Sequence, residues 1–457
     1  MHSQLAKANT LFDSLSLLQM GALDSKEEFD TFYVAAAEAR NAAEGDRTIK
    51  TLLSIEASKR PCHILYSGHM GCGKSTELRR LCHELKGSRF IVGIGVCDEN
   101  LDMTTMQHTD LILFIMETLL KCANDNNIQV SGDALANIED YWKDERSTTI
   151  DKTSDASLAV GVGLEAKTPN LLAKVLLAVG SARSDLRIQS EKRDTLRRKI
   201  EPDLNTFIGM VNDLIDSIRA AGANKGFRDA PPVILLDQLE KVGKDVAADL
   251  FEKHSQDLTR LRSSLVLPFP IEMCYTPSYN MVKNYYTDEW ILPMVKLRTW
   301  SEQHKGYEPY EKGKETLRAI IHRRMADCLF SGNTLDMIIE KTGGFLRDLF
   351  RVVYDAALNA IVRQGKSTEA QNVGILIEAP DAMAALANLQ SSITRRFPDS
   401  CRERLGKIKN GEKRYAFDEE LMMLLRSGAV FEYNGERWVD LHPLVSDWLG
   451  KTRKPED

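Results

Sequence analysis

The chain has 457 residues, of which 43% are hydrophobic, 28% charged and 7% aromatic, with a formal net charge of -6. That length suits two to four domains and a large core, and the mild acidity excludes a global nucleic-acid or membrane-surface signal, so any such binding must come from a local patch. The eight cysteines stand singly, with no C-x-x-C pair and no Cys/His group at metal spacing, and read as reduced thiols of a cytoplasmic protein.

No basic segment followed by an apolar core opens the chain, so no secretory leader is expected. The most apolar stretch, 171–180, is interrupted by Lys174 and is too short to span a bilayer, so no membrane role is expected. Residues 1 to about 60 read as helical. An Ala-rich helix over 29–43 carries Phe29, Phe32 and Tyr33, which serve either as core or as a platform for an adenine ring.

Residues 62–67 form a short apolar run suited to a buried parallel strand. Behind it, Gly68-His69-Met70-Gly71-Cys72-Gly73-Lys74-Ser75-Thr76 fits G-x-x-x-x-G-K-[ST], and Leu78, Leu81, Cys82 and Leu85 follow at helical spacing. Strand, glycine loop and helix are what a phosphate cradle requires. Glycines let consecutive N–H groups turn inward, the helix N-terminus adds its dipole, Lys74 adds a full charge for the β- and γ-phosphates, and Ser75 can ligate Mg²⁺.

Residues 89–97 read as a second buried strand and 105–123 as a broad-faced apolar helix. Residues 124–170 are polar and weakly periodic, an excursion before a long helical tract over 171–221. Arg183, Arg187, Lys192, Arg193, Arg197, Arg198 and Lys199 interleave with acids there, the pattern of a solvated helix laced with salt bridges. Pro231-Pro-Val-Ile-Leu-Leu-Asp237 restores the strand pattern and ends in an acid at the carboxyl edge, where open parallel sheets bind ligands. A helix over 247–263, a strand over 270–276 and a last strand over 291–297 complete the sheet.

From about 310 the pattern is helical: 315–330, 335–341 and 345–362, the last opened by Gly343-Gly344. A final unit from about 379 has a helix, a basic connector, a helix over 418–426 and a hairpin over 429–440 turning at Asn434-Gly435, the outline of a winged helix. The chemistry beyond binding falls to few residues. Asp237 suits the metal-holding acid. The next residue is Gln238 where many such enzymes have Glu, so the water-orienting group is either Glu240, turned back toward the strand, or Gln238 itself with slow turnover.

The loop 68–76, Leu236-Asp-Gln-Leu-Glu240 and Gly343-Gly-Phe-Leu-Arg-Asp-Leu349 resemble the phosphate-loop, Walker B and sensor 2 motifs of AAA+ ATPases, in the STAND and origin-recognition-like branch. The resemblance covers about 25–450. It implies an α/β phosphate-loop core over 1–305 with a helical insertion at about 124–222, a helical lid over 306–375 and a winged-helix domain over 376–457. It also implies ATP and Mg²⁺ as cofactors, with Arg347 reaching from the lid to the γ-phosphate. Thr276 (or Asn280) takes the sensor 1 position and Arg260 or Arg262 the arginine-finger position. Members of this branch act as nucleotide-driven switches on a protein partner or their own oligomer, some in bacterial conflict and defence systems. Two other roles stay open: an ATP-holding scaffold with little hydrolysis, and a DNA-binding ATPase gripping phosphates through Arg395, Arg396, Arg402, Arg404, Lys407, Lys409, Lys413 and Arg414. A guanine-reading Asn-Lys-x-Asp motif is absent, since Asn224-Lys-Gly-Phe lacks the closing acid.

Overall fold

The computed structural model describes residues 6–40, 49–56, 60–146, 171–188, 190–301, 306–365, 374–395, 397, 400–410, 418–433 and 439–451. Its strands are β1 His63–Ser67, β2 Val92–Val96, β3 Val233–Asp237, β4 Ser264–Phe269, β5 Asp288–Ile291, β6 Arg298–Ser301, β7 Gly306–Pro309, β8 Val430–Glu432 and β9 Val439–Leu441. The first five form one parallel sheet in the order β2-β3-β4-β1-β5, and the other four form two antiparallel pairs. This is the expected α/β phosphate-loop fold. Every residue of β1, β3 and β4 is buried, which explains why Val233-Ile-Leu-Leu236 is a continuous apolar run: both faces are covered.

Alternation along the strands sorts side chains between two cores. Ile64, Tyr66 and Leu235 meet the helices Ile49–Glu56 and Lys74–Gly87 through Leu53, Leu78, Leu81 and Leu85. Leu65, Ile234 and Leu236 meet the helices His108–Asp125 and Leu204–Asn224 through Leu111, Leu119, Leu214 and Ile218. A third core joins Glu311–His322, Thr334–Thr342 and Leu346–Arg363 around Leu317, Ile338, Leu349 and Val353. The helix Leu11–Leu18 inserts Leu11 and Leu18 into it.

Several expected elements differ. The strand expected at 270–276 is a 3₁₀ turn, Ile271–Tyr275; the strand lies one element earlier, in β4, and Pro270 follows its end. The last strand is β5 and not 291–297, because Pro293 has no N–H for a ladder bond. The Ala-rich helix is two, Lys26–Phe32 and Ala37–Arg40, with residues 41–43 outside the described set. Phe32 is buried, and Tyr33 donates from its hydroxyl to Glu77 at 3.1 Å, so both serve packing. The polar excursion contains the helix Gly132–Arg146, and residues 147–170 lie outside the described set.

The long tract divides into Leu171–Ile188, Ser190–Ile200 and Leu204–Asn224, broken by a 3₁₀ turn containing Pro202. Three of its arginines pair across elements: Arg183 with Glu117 at 2.7 Å, Arg193 with Asp102 at 2.9 Å, and Arg197 with Asp110. The Glu117 carboxylate is wholly buried. The basic connector carries a helix, Cys401–Lys409, between Ala379–Thr394 and Glu419–Ser427. Pro443–Lys451 closes the described chain, and the Asn434-Gly435 turn falls outside the described residues.

Candidate functional site

The loop 68–76 leaves β1 at the carboxyl edge of the sheet and enters the helix Lys74–Gly87. Gly71 has φ of 94°, a region that L side chains avoid. A Cβ there would lie 2.7 Å from the Cβ of Arg347, so the same glycine admits the lid. The Arg347 N–H donates to the Gly71 carbonyl at 3.2 Å. Sequence elements 276 residues apart thus meet at the loop, with Arg347 packed against Gly71.

Lys74 is only 4% exposed; its Nζ donates to the carbonyls of Gly68 (2.8 Å) and His69 (3.0 Å) and pairs with Glu240 Oε1 at 2.9 Å. Ser75 Oγ donates to Asp237 Oδ1 at 2.7 Å. Asp237 is 1% exposed, its Oδ2 has no hydrogen-bond partner, and the Arg79 guanidinium stands 4.0 Å away. Burial lifts the Asp237 carboxyl above its usual range, against the Ser75 bond, which lowers it. An orphaned buried carboxylate oxygen beside a serine hydroxyl is a hard-oxygen donor pair of the kind Mg²⁺ selects, so these residues fit the ion.

Chain direction after β3 sets the two water-orienting candidates apart in space. Gln238 sits at φ 66°, which turns the backbone out of the strand into the 3₁₀ turn Leu239–Lys241 and returns Glu240 to Lys74. The Gln238 side chain accepts from Lys241, whose Nζ also reaches Asp98 at 2.6 Å. Glu240 is therefore the one brought to the loop.

The remaining expected residues lie elsewhere. Thr276 donates to the Met273 carbonyl at 2.8 Å and lies 3.0 Å from Ser278 Oγ, and Asn280 is exposed. From that segment it is Glu272 that shares a small cavity with Gly68, Met70 and Glu240, and burial raises its carboxyl pKa. Arg260 donates to Asn205 at 2.8 Å and Arg262 pairs with Asp216, both within the chain. Of the basic C-terminal residues, Arg402 stacks on Trp448 at 4.2 Å, Arg404 pairs with Asp418 and Glu420, Lys407 with Glu403, and Lys409 donates to the Ser446 carbonyl. Arg396, Lys413 and Arg414 lie outside the described residues.

Two further loop contacts were not expected from the sequence. Arg40, 3% exposed, donates to the Cys72 carbonyl at 2.8 Å and to the Pro293 carbonyl, tying the cradle to the chain leaving β5. A lone arginine in an alanine-rich segment was the one available hint. His69, 2% exposed, accepts the Glu432 N–H at Nε2 (2.7 Å), which leaves Nδ1 as the protonated nitrogen of the neutral ring. Burial, with the Lys74 charge adding to it, pushes the imidazole down to about 3. Glu432 lies in β8, and Phe431 beside it packs edge-on against the His69 ring at 5.6 Å. Tyr433 donates to the Gly343 carbonyl at 2.9 Å and His442 pairs with Asp348 at 3.2 Å, so the C-terminal unit also grips the start of the lid helix.

Sheet order, loop and acid together define a phosphate-loop NTPase fold. No protein-family model and no curated protein sequence matches the chain. Among solved structures the chain is similar to the ORC1 protein of Aeropyrum pernix in complex with DNA, at 12% identity, covering 92% of this chain and 94% of that one, with a TM-score of 0.36. It is also similar to a Thermotoga maritima RuvB variant, at 11% identity, 89% and 95% coverage and a TM-score of 0.32. Cdc6p from Pyrobaculum aerophilum matches at 12% identity, 91% and 98% coverage and a TM-score of 0.34. No helix among the described residues is long and apolar enough to cross a membrane.

Proposed function

We propose that this chain is an ATP·Mg²⁺-binding ATPase of the AAA+/STAND kind that works as a conformational switch on a protein partner or on further copies of itself, the sort of module that conflict and defence systems use. One observation carries the reading: a single phosphate loop is bonded at Gly71 to the lid and at His69 to the C-terminal hairpin. Ligand phosphates draw Lys74 away from the Gly68 and His69 carbonyls and from Glu240, which disturbs the His69 end of the loop at its source. Glu240, relieved of its ion pair, is then free to polarise water, and Arg347 presents a fork to the terminal phosphate. Mg²⁺, when bound, neutralises phosphate charge, and Ser75 and Asp237 would hold it.

Titration of Mg·ATP into wild type and Lys74→Ala tests the reading: affinity should fall by at least about 100-fold in the variant, and unchanged binding overturns it. Glu240→Gln should lower turnover by about 10²–10⁴-fold while ATP still binds. An ATP-holding scaffold is the second reading, favoured by Gln238 at the position after Asp237; tight binding by wild type with no turnover would establish it instead. A DNA-binding ATPase is a further reading, tested by salt-dependent DNA affinity with the basic C-terminal residues neutralised: no affinity at low salt in the ATP state would remove it.

A further inference from the structure

Away from the loop, His108 opens the helix His108–Asp125, and His254 follows a π-helical turn, Asp249–Lys253, in the connection from β3 to β4. The two rings stack with centroids 3.5 Å apart and planes 7° from parallel. Asp249 Oδ1 lies 3.9 Å from His254 Nε2, and ligand atoms of His108, Asp249 and His254 all fall within 4.8 Å of one another. His108 is 6% exposed, and among the described residues neither its Nδ1 nor Asp249 Oδ2 has a hydrogen-bond partner. Two buried polar atoms of the cluster residues are therefore unsatisfied, which interiors rarely tolerate without a ligand. The surrounding charges complete the picture: His254 Nδ1 lies 3.0 Å from Asp257, Lys253 lies 3.7 Å from Asp249 Oδ1, and Asp110 faces the site from the opening turn of the His108 helix.

We infer that His108, His254 and Asp249 form a site for a borderline divalent cation, Zn²⁺ above all, with Asp257 as the residue that orients His254. Two imidazole nitrogens and one carboxylate are the donor set this ion selects over Mg²⁺ or Ca²⁺. The Asp257 bond fixes the proton of His254 on Nδ1 and leaves Nε2, the nitrogen nearer Asp249, as the ligand; carboxylates support metal-bound histidines in this way. Metal–ligand bonds of about 2.0–2.2 Å set tetrahedral ligand atoms roughly 3.4 Å apart, so the cluster closes by about 1 Å, with one ring turning out of the stack. A π-turn at Asp249–Lys253 supplies the irregular backbone that lets Asp249 and His254 face one direction. The bound ion ties the start of the His108–Asp125 helix to the chain leaving β3, and the site does not depend on the nucleotide reading.

The test uses the untagged full-length chain, with Zn²⁺ titrated against a chromogenic indicator and Co²⁺ substituted to read ligand geometry from its visible spectrum. One Zn²⁺ per chain is expected, with affinity falling at least about 100-fold in His254→Ala and about 10–100-fold in Asp257→Asn. Asp249→Asn, at a half-exposed position, guards against a folding defect, as does Mg·ATP binding retained by each variant. Wild type that takes up no Zn²⁺, or folded His254→Ala and Asp249→Asn variants that bind it as tightly as wild type, overturns the site.

Discussion

His69 is neutral because its surroundings leave no room for a charge. Its Nε2 accepts the Glu432 N–H, so a proton on that nitrogen would expel the hairpin from the loop. The folded value of about 3 lies below the ordinary 6.5, so the unfolded chain takes up the proton first on acidification. The stabilisation is whole above about pH 6.5 and is lost progressively as pH falls toward about 3. Denaturant midpoints measured across that window should fall, and His69→Gln, which keeps an acceptor without a titrating ring, should flatten the fall; identical slopes would refute the assignment. Arg40 gives a second residue-scale expectation. Its guanidinium spans the carbonyls of Cys72 and Pro293, so Arg40→Ala should cost about 3 kcal/mol in chemical denaturation and weaken Mg·ATP binding. Lysine, a point charge on a flexible stem, should not rescue it.

Among the elements, the lid helix Leu346–Arg363 owes its seat to the glycines before it. Gly344 has φ of 85°, and a Cβ there would come 1.9 Å from the Val295 carbonyl oxygen. Gly332 supplies the control, with φ of 52° and nothing within 4 Å of its added Cβ. Gly332→Ala should then cost only the backbone strain, about 1 kcal/mol, whereas Gly344→Ala should cost several times more, because backbone must move as well. Thermal unfolding of the two variants side by side checks the difference, and equal costs would show that the lid is not seated on Val295.

For the whole molecule, the phosphate loop is where three separate parts of the chain converge: Arg40 before the sheet, Arg347 on the lid and Glu432 in the C-terminal hairpin. On the proposed reading, a ligand at the loop is coupled to elements that share no sequence proximity with it. Hydrogen exchange with and without Mg·ATP should change at both 346–350 and 430–433 in wild type and at neither in Lys74→Ala. A response confined to the loop would show that nucleotide does not move the lid or hairpin.

The sequence by itself determined β1, β2 and β3, the loop, and the two residues Ser75 and Asp237 that the structure brings together, because each depends on local pattern: apolar runs for strands covered by neighbours, glycines at fixed offsets, an acid closing a strand. It misplaced strand ends near Pro270 and Pro293, where register depends on the neighbouring strand and not on the run itself. It named both Glu240 and Gln238, and only the left-handed turn at Gln238 separated them. Arg40, the partners of His69 and the stack of His108 on His254 were out of its reach altogether. Those contacts join residues that sequence holds far apart, and a side chain's partner across such a distance is set by how the cores pack, which only the tertiary structure decides.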